Sequence, residues 1–222
     1  MATAARSGCR TTRADSVTFL GADSDGEGVF WVSGSGGESR ATVGVDEDGG
    51  FLRLEDNADE TVVLIAADSG GGAGFISVSG SRVHDVAEVF DLETRDGVVP
   101  GSVMSVDALG SGRLMPAAAP YDRKVVGVIS GAGEFQHAML IGSREDGSHD
   151  LPVALSGQVY VRVSAENGPI SPGDLLVSSS SPGVAMAATD IERSIGAVVG
   201  KALQPFAGDD PEGLIRMLVM AR

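Results

Sequence analysis

The 222-residue sequence predicts an all-β protein, and three observations carry that prediction. Glycine reaches 32 residues, about double its usual ~7% share, and much of it punctuates short β-branched runs. Apolar residues recur in runs of strand length separated by turn residues. The C-terminal half also carries an internal duplication in which each copy reads as turn, strand, turn, strand. The expected architecture is a short-stranded, stalk-like N-terminal half, similar in texture to a triple β-helix, followed by a compact duplicated β domain.

Composition narrows the function classes. Hydrophobic residues make up 42% and aromatics 5%, so a core must be built mainly of Val, Leu, Ile, Ala and Met. The net charge is −15 and both halves are acidic, which disfavours binding to phosphate backbones. No apolar run is long enough to span a membrane as a helix. The single Cys9 excludes an intrachain disulfide framework, and His84, His137 and His149 share no metal-ligand spacing. The glycines 70-GGG-72 lack the lysine of a phosphate loop, and 178-SSSS-181 has no nearby histidine, so both read as loops. No cofactor or metal site is expected. Asp46, Asp48, Asp56, Asp59 and Asp68 are numerous enough to bind calcium between chains, but their spacing fits solvated turn charges better.

The chain divides into three expected segments. Residues 1–27 open on MATAARSGCRTTR, basic and without acids but lacking the apolar stretch of a leader, and are expected to form a poorly ordered arm. Residues 28–84 alternate apolar runs with glycine and acidic turns: GVFWVSG, ATVGVDEDGG, FLRLEDN, TVVLIAADSGGG, AGFISVSG. These recur about every ten to thirteen residues, the spacing of many short strands. Strands this short present few side chains to one face, so they need a covering partner. Association of identical chains supplies one; packing of a meander on the second half of the chain is the alternative.

Residues 85–222 hold the duplication. Pro100-Gly101 matches Pro172-Gly173, Met115 matches Met186, Asp122-Arg123 matches Glu192-Arg193, and 125–129 matches 195–199. Pro-Gly suits the two central positions of a type II turn. Between the copies, Val159, Val161 and Val163 are expected on one strand face, with Tyr160 and Arg162 on the other.

The junction reads 81-SRVHDVAEVF-90. On a helical turn, Asp85 and Glu88 would share one side, where one carboxyl can stay ionised while its neighbour holds a proton. A capping turn, with Asp85 as N-cap, explains the same spacing without chemistry. Any helix is expected to be limited to a turn or two over 85–90.

From about residue 84 to 222, the motif 85-DVAEVF-90, the Pro-Gly strand module and 127-GVIS-130 after a charged turn resemble the C-terminal autoproteolytic intramolecular chaperone domain of phage neck-appendage proteins, the peptidase G2 family. The resemblance implies a domain that templates trimerisation of a β-helical stalk and then cuts the chain before the motif's aspartate. Carried over, the scissile bond is His84–Asp85, with Asp85 and Glu88 as catalytic pair; the family pattern has serine where this chain has His84. It implies a homotrimer in a virion or extracellular fibre. The competing reading is a non-catalytic module on a trimeric stalk, recognising a surface receptor or glycan.

Overall fold

The computed structural model describes residues 9–13, 16–22, 25–33, 39–46, 49–56, 58, 60–67, 74–79, 83–107, 111–142 and 150–220. Among them the chain is all-β: the single α-helix, α1 (Ile191–Ser194), has four residues. No helix of the described residues is long and apolar enough to cross a membrane. The chain forms two compact units, Met1–Ser81 and Arg82–Arg222. The second unit thus starts slightly before the expected boundary at Asp85.

Unit 1 is a seven-stranded antiparallel meander in sequence order: β1 (Cys9–Arg13), β2 (Ser16–Ala22), β3 (Gly28–Ser33), β4 (Ser39–Asp46), β5 (Gly49–Glu55), β6 (Thr61–Ala67) and β7 (Gly74–Val78). Two of these strands fall inside the stretch expected as a poorly ordered arm, so the sheet begins well before residue 28. The strands are short, as expected, but each pairs with its own chain neighbour. Backbone hydrogen bonding of the inner strands β2 to β6 is therefore satisfied on both sides within the chain, and these strands offer a partner their side-chain faces.

Turn chemistry accounts for the acidic punctuation. Asp46 Oδ1 accepts the Gly49 N–H at 3.0 Å between β4 and β5. Asp56 Oδ1 accepts the Ala58 and Glu60 N–H groups at 2.7 and 3.1 Å before β6. Asp48, Asp59 and Asp68 lie outside the described residues, among which no group of His, Cys, Asp or Glu gathers as a metal site.

Antiparallel register sets the two faces of the meander. Leu20 pairs Phe30, Phe30 pairs Val43, Val43 pairs Leu52, Leu52 pairs Ile65 and Ile65 pairs Ile76, giving one unbroken apolar row from β2 to β7. Directly paired residues share a face, as do residues two apart along a strand. A second row, Val32, Ala41, Leu54, Val63 and Val78, therefore lies beside the first. The opposite face carries the aromatic stack of Phe19 on Trp31, at 5.1 Å between ring centres, and Arg53 above the Phe51 ring at 5.6 Å. There Phe51 lies across Gly44, where a Cβ would stand 2.9 Å from the ring, so glycine makes room for the aromatic.

Unit 2 is a ten-stranded mixed sheet that makes the duplication explicit. The first copy supplies β9 (Val103–Val106), β10 (Leu114–Pro116) and β11 (Val125–Ile129). The second supplies β14 (Leu175–Ser178), β15 (Ala185–Ala187), α1 and β16 (Val198–Ala202). In each copy the first strand is central, flanked by the other two: β10-β9-β11 and β15-β14-β16. Each opens on the expected type II turn. Ser102 N–H donates to Val99 O at 3.0 Å around Pro100-Gly101, and Asp174 N–H donates to Ser171 O at 3.1 Å around Pro172-Gly173. Gly101 and Gly173 take φ of +88° and +97°, as this turn requires.

The long β13 (Asp150–Val163) is the spine, pairing with β8 (Val83–Asp91), β11, β15 and β17 (Gly213–Val219). Val159, Val161 and Val163 are buried along one of its faces and join Val103, Val128, Leu176, Val199 and Met217 in the core.

Tyr121 locks one copy to the other. Its ring is buried in a small cluster with Val177, Met186 and Ala197 of the second copy. Its hydroxyl oxygen accepts the Thr189 and Asp190 N–H groups, each at 3.1 Å, and Asn167 Nδ2–H at 3.0 Å. Burial pushes the phenol up, yet the Thr189 hydroxyl, 3.3 Å away, and these donors together bring it below its ordinary value. Tyr121→Phe keeps the ring but strands three donors, and is expected to destabilise unit 2 by about 2–3 kcal/mol in urea unfolding. A loss under about 0.5 kcal/mol would show that water replaces the hydroxyl.

Candidate functional site

The stretch 85–90 is strand, not the helical or capping turn expected from the carboxylate spacing. β8 pairs with β13 on one side and, in parallel, with β12 (Gln136–Ile141) on the other. Two ladders outweigh a local i,i+3 preference, and Val83, Val86 and Val89 suit an extended chain. The consequence for the predicted pair is direct. Residues three apart on a strand point to opposite faces, so Asp85 and Glu88 are not brought together. Glu88 is half-buried against the backbone of Gly142, whereas Asp85 is only 2% exposed.

Asp85 has other neighbours. Ser130, buried at the end of β11, donates its hydroxyl to Asp85 Oδ1 at 3.2 Å. Asp85 Oδ2 is buried with no hydrogen-bond partner. His137 stands at the paired position on β12, and His84 precedes Asp85 in the chain. Burial pushes the Asp85 carboxyl above the ordinary carboxylate range; the Ser130 hydrogen bond and the imidazoles of His137 and His84 offset this only in part.

The bond before Asp85 is equally confined. The His84 ring packs on Phe135, 3.9 Å between centres, and Phe135 meets Tyr160 edge-on at 4.9 Å. Opposite Asp85 on β13 lies Gly157, with φ of +103°. A Cβ there would stand 2.3 Å from the His84 carbonyl oxygen and 2.7 Å from Asp85 Cα. Only glycine lets the two backbones approach so closely. A cleft of about 420 Å³, lined among others by Arg95, Pro100, Ser130, Gln136 and His137, opens beside the cluster.

Sequence reasoning found Asp85 and His84 but not Ser130, His137 or Gly157. The motif 127-GVIS-130 pointed at the segment without pointing at its serine. His137 reaches the site only through the non-local pairing of β12 with β8.

These features define an all-β protein with a sheet-forming N-terminal unit and a duplicated β unit that buries an aspartate beside a crowded peptide bond. No family model and no curated protein matches the chain. Among solved structures, it is similar to the crystal structure of the bacteriophage phi29 gene product 12 C-terminal fragment. The identity is 18% and the TM-score 0.41, over 61% of this chain and 100% of that one. It is also similar to the pre-mature bacteriophage phi29 gene product 12, at 15% identity and a TM-score of 0.43, over 72% of this chain and 24% of that one.

Proposed function

We propose that the chain is a structural component of a phage-appendage type of fibre: it assembles as a homotrimer, with unit 2 driving assembly and cutting the chain between His84 and Asp85. The observation that carries this reading is the apolar face of unit 1. In a single chain Leu20 is 60% exposed, Val43 49% and Ile76 64%, along one continuous row. Contiguous apolar surface of this extent marks an association site. A closed threefold assembly buries three such faces against one another and leaves none over. The motif 85-DVAEVF-90 and the buried Asp85 support the cutting function.

Sedimentation of the whole chain tests the assembly. A trimer is the expected species, and a monomer of 22.5 kDa at micromolar concentration overturns it. Removing residues 85–222 separates the driver of assembly from a receptor- or glycan-binding module. Loss of the driver leaves insoluble unit 1, whereas loss of a binding module leaves a soluble trimer.

A further inference from the structure

We infer that Asp85 breaks the bond before it with its own side chain: Oδ2 attacks the carbonyl carbon of His84, while Ser130 holds Oδ1. This rests on the self-cutting reading above and replaces its carboxylate pair with one carboxyl and one positioning serine.

The chain's connectivity makes the attack intramolecular. Oδ2, Cγ, Cβ, Cα and N of Asp85 with C of His84 close a six-membered ring. Reactive groups held in such a ring gain the advantage of proximity, which reaches several orders of magnitude in rate. The surroundings suit this use. One carboxyl oxygen is fixed by Ser130 and the other is buried without a partner, so solvent competes little for it. The approach of β13 at Gly157 confines the His84 carbonyl, and the Phe135 ring, itself set edge-on to Tyr160, confines the His84 side chain. Glu88, on the other face of β8, has no access to either atom.

The steps balance without any co-reactant but water. The Oδ2–C bond forms and the C–N bond between His84 and Asp85 breaks. The nitrogen leaves as a primary amine, taking the proton of the neutral carboxyl. The product is a mixed anhydride joining the His84 acyl group to the Asp85 side chain. Water, entering from the cleft that Ser130 and His137 line, adds to Asp85 Cγ, the acyl carbon that Ser130 flanks. That step restores the Asp85 carboxyl and leaves a His84 carboxyl terminus.

The location of the oxygen taken from water reports the route. The whole chain and its His84→Ser variant would be cut in ¹⁸O-water, and the peptides on either side of the bond sequenced by mass spectrometry. Label in the Asp85 side-chain carboxyl is expected, because only an anhydride lets water add there. Label confined to the new terminus at residue 84 overturns the inference, since direct attack by water gives that result. Ser130→Ala is expected to slow cutting about tenfold or more while leaving the label in Asp85. A Ser130→Ala rate within twofold of the parent overturns its positioning role. Glu88→Gln is expected to cut within twofold of the parent rate; loss of cutting in that variant restores the carboxylate pair and overturns the inference. Absence of any fragment beginning at Asp85, in both the parent and His84→Ser, overturns self-cutting itself and this route with it.

Discussion

Gly157→Ala is expected to destabilise unit 2 by about 3–5 kcal/mol, for two reasons that act together. The backbone there sits at φ of +103°, where any side chain is strained. The added methyl would also meet backbone atoms, His84 O at 2.3 Å and Asp85 Cα at 2.7 Å, and these cannot turn aside as a rotamer can. Gly131 is the natural control. Its φ is +96°, but nothing lies within 4 Å of its virtual Cβ, so Gly131→Ala carries the conformational cost alone, about 1 kcal/mol. Chemical unfolding of both variants measures the difference. If they agree within about 0.5 kcal/mol, the close approach of β13 to β8 contributes nothing beyond backbone strain.

The second large effect is on assembly. Val43 and Ile65 each lie beside Leu52 in the middle of the apolar row. Val43→Lys with Ile65→Lys puts two ammonium groups where the proposed interface excludes water, at several kcal/mol for each unpaired charge. The expected result is a shift from trimer to monomer in sedimentation, with strand content unchanged by circular dichroism. Ser77→Lys, on the opposite face, is expected to leave the trimer intact. Dissociation by Ser77→Lys and not by the double variant would place the interface on the wrong side of the sheet.

The fold was legible where the signal is local. Pro-Gly dictates its turn through two residues, and both type II turns form. The alternation of Val159, Val161 and Val163 fixes a strand face by itself, and that face is buried. The duplication announced two equal modules, and their strand orders agree. What failed was the inference from spacing to face. Asp85 and Glu88 at i and i+3 were compatible with a helical turn, and only the pairing of β8 with both β12 and β13 decides for a strand. The strand alternative was present in the β-branched Val83, Val86 and Val89, residue types that favour an extended chain. The apolar row of unit 1 was hidden for a related reason. Its members come from six strands, and their alignment depends on a register that no single run contains.

The position of the His84–Asp85 bond within β8 has a mechanical meaning. Among the described residues, Val83, paired with Gln136, is the one ladder position upstream of it, whereas from Asp85 to Asp91 the strand is held against β13, and over much of that length against β12 as well. A break there leaves two unequal grips. The upstream end is held by that rung and by the His84 ring on Phe135, a smaller hold than the two ladders downstream, so it is the end that frays. The downstream end, with its new amine, stays laced into the middle of the sheet. Religation would be opposed once the upstream end has frayed, because one of the two ends no longer stays in place.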